Sequence, residues 1–435
     1  MKKILVMSAL VAISAAFVAC SSNDDLVQQK PEVPEDMIEE GIPMKIIVSD
    51  LATRGTDFSS TNPLLAFKLY STMLTPAEAA QATPPETPSW TKGKALTRDD
   101  GDSDWTTNGV LAWPDEAEHT FFAINVAEDT EFADIAENSG AGDGHPDLPV
   151  VTATTCSFNY KMPISVKPKA DPGDADEYYY NSEDLKDLLV ATTTGSSTTG
   201  DPAGSLTINF THALAQITAI KVYCSSDKME KVSGYDPDED IPCWHFRIGG
   251  DCIRIGGLKA VGTYTFGAST PWVVSGDDEE FEISLDKTKQ TFDKAFTPSL
   301  RTDAKEISLT DGGFYLIPQA VAGSVMKTTE GYNVVGPYVE LYAQICRFLD
   351  PSDPTDVVWE YAGDETSPVD WTEADSNKAL YKKIRVPLKF DISATGAGNS
   401  FTLVLDISNA VIWEDGANRA QYNSIFGENI DIKVG

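Results

Sequence analysis

The residue with the plainest chemistry is Cys20. In Phe17-Val18-Ala19-Cys20-Ser21 small residues precede a cysteine, a pattern that resembles the lipobox cut by lipoprotein signal peptidase between Ala19 and Cys20. The cut would leave Cys20 as the N-terminus, with a thiol and an amine to carry acyl chains such as palmitate. Lys2 and Lys3 stand ahead of an apolar run from Ile4 to Val18. A charged start followed by about 7–15 apolar residues marks a secretory signal, here residues 1–19. The run is 15 residues long, short of the ~20 that a membrane-crossing helix needs. The alternative is an ordinary signal peptide that ends at a chance cysteine.

Other reactive side chains are sparse or badly spaced. The four histidines are His119, His145, His212 and His245. His212 continues the inward phase of Leu206, Ile208 and Phe210, which favours a hydrogen-bonded core histidine over a catalytic one. There is no Gly-x-Ser-x-Gly elbow, no His-Glu-x-x-His and no P-loop. With 67 acidic residues, any chosen pair of carboxylates says nothing about glycoside hydrolysis. Asp99 to Asp104 and Asp236 to Asp240 are acidic runs that fit solvated loops better than calcium loops, since neither has the EF-hand spacing. Besides Cys20, cysteines stand at 156, 224, 243, 252 and 346. An odd number at irregular spacing is no disulfide framework. Cys243 and Cys252, flanking a turn-rich segment, are the favoured pair, against a reading of all five as small buried hydrophobes. Cys243 with His245 gives two of the four ligands zinc needs. No catalytic residue, metal site or cofactor is expected.

The chain carries a net charge of −34, and loss of residues 1–19 with Lys2 and Lys3 takes it to −36. Such a chain repels phosphate backbones, so nucleic acid is not an expected partner. Residues 20–43 are polar, acidic and proline-containing, the composition of a flexible tether. Beyond them short runs alternate with period two. Leu206, Ile208, Phe210 and His212 form one inward set; Val339, Leu341, Ala343 and Ile345 a second; Ile384, Val386, Leu388, Phe390 and Ile392 a third; Phe401, Leu403, Leu405 and Ile407 a fourth. These are half-buried antiparallel strands with the intervening residues in water. Helical periodicity is confined to short stretches at Thr75 to Ala82 and Thr130 to Asn138. Pro387 inside its run predicts an edge strand or a bulge. The low-complexity stretch from Thr192 to Ser205 is either an interdomain linker or a loop joining Asp187–Ala191 to Leu206–Phe210. The expected architecture is all-β: an N-terminal β-sandwich over 44–205 and a C-terminal one over 206–435.

Several separated segments, in order, resemble the fimbrillins, or type V pilins, of Bacteroidetes. Met44-Lys-Ile-Ile-Val-Ser-Asp-Leu-Ala-Thr-Arg54-Gly55 looks like the first strand and its Thr-Arg-small processing site. Trp113-Pro114 with His119-Thr-Phe-Phe-Ala123, Asp187-Leu-Leu-Val-Ala191 with Leu206 to Ala215, and Phe314-Tyr-Leu-Ile-Pro318-Gln319 are similar to later family motifs. In lipoproteins of that phylum an acidic patch after the lipid site, here Asp24 and Asp25, resembles a signal for display on the outer face of the outer membrane. The resemblance implies two tandem antiparallel β-sandwich domains of transthyretin-like type. It also implies handling by the lipoprotein export machinery and cleavage between Arg54 and Gly55 by an Arg-specific protease. Assembly with other pilin subunits into fimbriae by donor-strand exchange would follow. The donor candidates are Phe401, Leu403, Leu405 and Ile407, and Ile430, Ile432 and Val434 at the chain's end. Loss of residues 20–54 would leave about −31 on 381 residues. Gly55 after Arg54 and the length of the chain leave stalk, tip and anchor roles open. A second reading is a lipid-anchored, non-polymerising adhesin for a host glycan or protein. Trp105, Trp272, Trp359 and Trp371 would then stack on sugar, against a reading of them as core residues.

Overall fold

A computed structural model describes residues 41–49, 64–99, 104–107, 111–125, 149–167, 177–183, 185, 187–200, 202–223, 243–286, 304–310, 313–328, 331–348, 357–359, 382–407, 410–413 and 423–424. In chain order the first strands are β1 (Ile42–Pro43), β2 (Lys45–Val48), β3 (Ala66–Ser71), β4 (Lys94–Thr97), β5 (Ala112–Trp113) and β6 (His119–Ile124). Next come β7 (Val150–Val151), β8 (Cys156–Lys161), β9 (Ser165–Lys167), β10 (Glu177–Asn181), β11 (Leu189–Gly195), β12 (Ser205–Ile208), β13 (Thr211–His212) and β14 (Ala215–Tyr223). Two long strands follow, β15 (Cys243–Thr265) and β16 (Trp272–Ser284). Then come β17 (Lys305–Ile307), β18 (Phe314–Leu316), β19 (Ala320–Ala322), β20 (Ser324–Thr328), β21 (Gly331–Val335) and β22 (Tyr338–Phe348). The last are β23 (Val357–Trp359), β24 (Lys382–Pro387), β25 (Lys389–Asp391), β26 (Ser400–Asp406), β27 (Val411–Trp413) and β28 (Asn423–Ser424). Among the described residues helix is limited to the single turn α1 (Pro76–Ala79) and a 3-10 turn at Ser89–Lys92. The protein is therefore mostly β, in several sheets. Of the two expected helical stretches, the first is α1 and Thr130–Asn138 lies outside the described residues.

Period two sorts the side chains as the sequence predicts. Leu206, Ile208 and Phe210 are buried while Thr207 and Asn209 are exposed, and Cys156, Phe158 and Tyr160 point inward between half-exposed neighbours. Period two does not fix strand direction, however, and here the expectation of antiparallel pairing needs correcting. β2 runs parallel to β12, β10 to β16, and β26 to β14, among otherwise antiparallel pairs. Pro387 is neither on an edge strand nor in a bulge. It is the last residue of β24, which lies between β22 and β27. Just beyond it Leu388 turns to bond Pro337 and Gly323, so the missing N–H of proline falls where the ladder ends. Glu340, expected in water, is buried because Arg385 on the next strand donates to it at 2.7 Å and Lys383 lies 3.6 Å away.

The sheet β13-β11-β6-β3-β4 is apolar on both faces. Phe67, Leu69, Phe121, Ala123, Leu189 and Ala191 enter one hydrophobic cluster, which also holds Met44, Ile46, Trp113, Leu206, Ile208 and Phe210. Tyr70, Phe122, Ile124, Leu188 and Val190, one residue out of phase, enter the other and larger cluster. Strict alternation thus lets one sheet serve as a wall between two cores. The largest sheet runs β28-β27-β24-β22-β15-β16-β10-β9, with β8 also on β15. β8 and β10 precede residue 205 and pair with strands that follow it, so hydrogen-bonded sheets cross that position. Thr192 to Gly195 end β11 and Ser205 begins β12, and between them Gly204 N–H donates to the Thr199 carbonyl at 2.9 Å.

Candidate functional site

The N-terminal strand segment sits between two walls drawn from distant parts of the chain. Gly41, at φ +79°, brings the backbone in beside Trp113. β1 then pairs antiparallel with β5, Ile42 opposite Trp113 and Pro43 opposite Ala112. Met44 N–H still reaches the first wall, at the Leu111 carbonyl, 3.0 Å away. Lys45 N–H turns to the other wall, at the Gly204 carbonyl, 3.2 Å away. β2 continues parallel to β12 from Lys45 opposite Ser205 to Val48 opposite Ile208, and Ser49 N–H closes the ladder on the Ile208 carbonyl.

Alternation decides what this segment buries. Met44 is 6% and Ile46 4% exposed, both inside the cluster of Phe67, Leu206 and Ile208, and Ile42 and Val48 pack at its margin. Lys45 points to solvent. Ile46 and Val48 thus share the inward face, joined by Met44. The arrangement amounts to a slot one strand wide with four apolar subsites at every second residue. The β5 wall escaped sequence reasoning because two residues, Ala112 and Trp113, are too few to show a period. Its one signal was the buried-type aromatic in Trp113-Pro114.

A polar cluster lies at the β13 end of the sheet β13-β11-β6-β3-β4. Asp187 is fully buried, and His212 Nδ1 meets its Oδ2. Asn125 Nδ2 donates to the Asp187 carbonyl at 3.1 Å, and Leu189 N–H donates to Asn125 Oδ1 at 2.9 Å. These bonds join the chain before β11 to β13 and to the end of β6. Burial, and secondarily the charge of Asp187, pushes the Tyr160 hydroxyl above its ordinary range. His212 therefore has the bonded, core-edge setting expected of a structural histidine. His119 is placed by Asp115, 2.9 Å from its Nε2, and by the Trp113 ring. His145 lies outside the described residues.

The cysteine expectation changes. Cys243 and Cys252 lie on one strand, β15, nine positions apart. At ~3.3 Å per residue an extended run of that length spans roughly 30 Å, far beyond disulfide reach. The turn-rich segment between them includes Gly249-Gly250-Asp251, which stays within the strand where the β15–β22 ladder shifts register. Cys156 is buried, and burial pushes its thiol up to about 12, which leaves it unreactive. Among the described residues no three metal-ligating side chains converge. Trp105 and Trp272 are buried, Trp272 Nε1 donating to the Ala213 carbonyl at 2.7 Å and Trp105 lying under the Arg98 guanidinium. Trp371, like the acidic run Asp236 to Asp240, lies outside the described residues.

Phe401, Leu403, Leu405 and Ile407 belong to β26 and its end. They lie along β14, with Leu403, Leu405 and Ile407 buried in the larger cluster and Phe401 packed against it. Ala19, Cys20, Arg54, Gly55, Ile430, Ile432 and Val434 lie outside the described residues. Arg54 falls between the end of the slot segment at Ser49 and the next described residue, Leu64.

No protein-family model and no curated protein matches the chain. Solved structures do. A fimbrial protein from Bacteroides vulgatus is 13% identical, over 88% of this chain and 98% of that one, with a TM-score of 0.43. A fimbrial assembly protein from Parabacteroides distasonis is 10% identical, over 89% and 96%, with a TM-score of 0.28. The chain is thus structurally similar, at low sequence identity, to fimbrial proteins of Bacteroidales.

Proposed function

We propose that this chain is the precursor of a fimbrial subunit, stalk or tip, displayed on the outer membrane through lipid on Cys20. An Arg-specific protease cuts between Arg54 and Gly55, and the subunit then joins others by strand exchange. The observation that carries this reading is the seat of residues 42–49, one inserted segment bonded to two walls. All of it lies on the N-terminal side of Arg54, so one cut releases lipid and strand together.

Departure of the segment has a direct energetic cost. Met44 and Ile46 each contribute roughly 1.5–3 kcal/mol by burial, and their removal also leaves β12 and β5 with unpaired backbone groups. An extended apolar segment of another subunit restores both by adding a strand. Such an interface is head-to-tail, and a head-to-tail contact that does not close on itself gives a filament. Of the two donor candidates, β26 is bound to β14 and to its own core, so we assign the role to Ile430, Ile432 and Val434.

The reading is tested on purified precursor with Arg-specific protease, following size by light scattering. Wild-type chains are expected to be cut after Arg54 and to polymerise. Arg54→Ala should stay monomeric, and a chain lacking Glu428 to Gly435 should be cut without growing. Polymers formed equally well by either variant would refute the mechanism. Lipid attachment is tested separately: cells fed a radioactive fatty acid should label the wild type, and label on Cys20→Ala would overturn that assignment.

A further inference from the structure

While β1 and β2 are seated, they tie the β5 wall to the β12 wall. One side chain makes the same connection without them. Trp113 belongs to β5, is fully buried, and donates its indole Nε1–H to the carbonyl oxygen of Gly204 at 2.9 Å, at the head of β12. That oxygen also accepts the Lys45 N–H. It therefore has one donor that leaves with β2 and one that stays. The ring has room to cross because residue 195 is glycine: a Cβ there would come within 3.2 Å of Trp113 Cη2 and 2.8 Å of Leu206 Cδ1. The Phe121 ring, edge-on at 5.5 Å, and His119, stacked at 6.2 Å, hold its plane.

A strand withdrawn from between two others leaves walls about two inter-strand spacings apart, roughly 10 Å. Their unpaired N–H and C=O groups favour closure on each other. We infer that Trp113 is a positioning residue of the slot, a strut whose indole keeps the β5 and β12 walls one strand apart after β1 and β2 depart, ready for an extended apolar segment of another copy of this chain. The inference rests on the strand-exchange reading above.

Trp113→Phe keeps a buried ring and removes the N–H. In the uncut precursor the β1–β5 and β2–β12 ladders still join the walls, so its melting temperature should fall only slightly. After Arg-specific cleavage, filament growth should be slower by about tenfold, the effect of leaving a buried carbonyl without its remaining donor. Trp113→Phe chains that are cut and grow at the wild-type rate overturn the strut and leave the strand-exchange reading intact. Wild-type chains that are cut and do not grow overturn that reading, and the strut with it. Should Trp113→Phe fail to fold, β-(3-benzothienyl)alanine at position 113 preserves the shape and puts sulfur in place of the N–H. It must show the same loss of growth, and wild-type growth with it overturns the inference.

Discussion

β2 and β26 are both apolar strands lying parallel to one neighbour, and they are held in opposite ways. β2 has four residues, of which only Ile46 is deeply buried, and it forms part of a segment that reaches from one wall to another. β26 has seven, sends Leu403 and Leu405 into the larger cluster, and continues through Ile407 and Ala410 into β27 of the largest sheet. Loss of β2 opens a slot at the margin of one core. Loss of β26 would strip the long side of β14, from Gln216 to Tyr223, and with it the support of the other core. A strand is exchangeable only when the rest of its core survives its departure, and by that criterion the two strands belong to different classes.

The largest effect should come from the strand that cannot leave. Leu405 is 3% exposed, and Leu405→Ala should cost about 2–5 kcal/mol through lost burial and the cavity left behind. The cost should appear equally in the precursor and in a form beginning at Gly55, measured by denaturant unfolding. Ile46→Ala should cost about 2–4 kcal/mol in the precursor and nothing in the shorter form, from which residue 46 is absent. If Ile46→Ala left precursor stability unchanged, β2 would not be anchoring the slot.

The same two strands show where the sequence is legible. Inward faces are local, and alternation alone placed Leu206, Ile208, Ile384, Val386, Leu403 and Leu405 correctly. Direction and neighbours are set by pairings more than a hundred residues apart, which no period records. β26 thus reads like any antiparallel strand while lying parallel to β14. Glycine misleads in the same way: Gly249-Gly250-Asp251 has turn composition, yet flanking ladders on both sides hold it inside a strand. The slot was half legible. The Met44–Val48 strand carries its own alternation, whereas its β5 wall and the bond from Trp113 to Gly204 exist only once residues 113 and 204 meet.

A smaller effect is expected at the polar cluster, which serves the sheet common to both cores. His212→Gln should cost about 1–3 kcal/mol by leaving buried Asp187 poorly satisfied. Because β13 pairs with neither β2 nor β26, the loss should be the same in the precursor and in the form beginning at Gly55. A His212→Gln protein of wild-type melting temperature that failed to polymerise would overturn the structural assignment.

The smallest expected effect separates the two strands by pH. Helix α1 packs against the start of β1, where a Cβ at Gly41 would meet Pro76 Cγ at 2.5 Å. The helix is held by a reciprocal cap: Thr75 N–H donates to Glu78 Oε2 at 2.7 Å and Glu78 N–H to Thr75 Oγ1 at 3.2 Å, while Ser89 N–H donates to Glu78 Oε1 at 2.8 Å. Burial raises the Glu78 pKa, but the bonds from Thr75 and Ser89 together outweigh it, and the net shift is downward from 4.5. A carboxylate whose pKa is lowered by folding adds stability above its unfolded value, and that stability is lost as pH falls through the folded value. Hydrogen exchange at the Met44 amide should therefore quicken as pH drops below about 4.5, after correction for intrinsic exchange, while the Leu403 amide in β26 is unaffected by the cap. Glu78→Gln should remove this part of the pH dependence, and Thr75→Ala should cost about 1 kcal/mol at neutral pH. An identical acid response of the Met44 amide in wild type and Glu78→Gln would show that the cap does not secure the segment entering the slot.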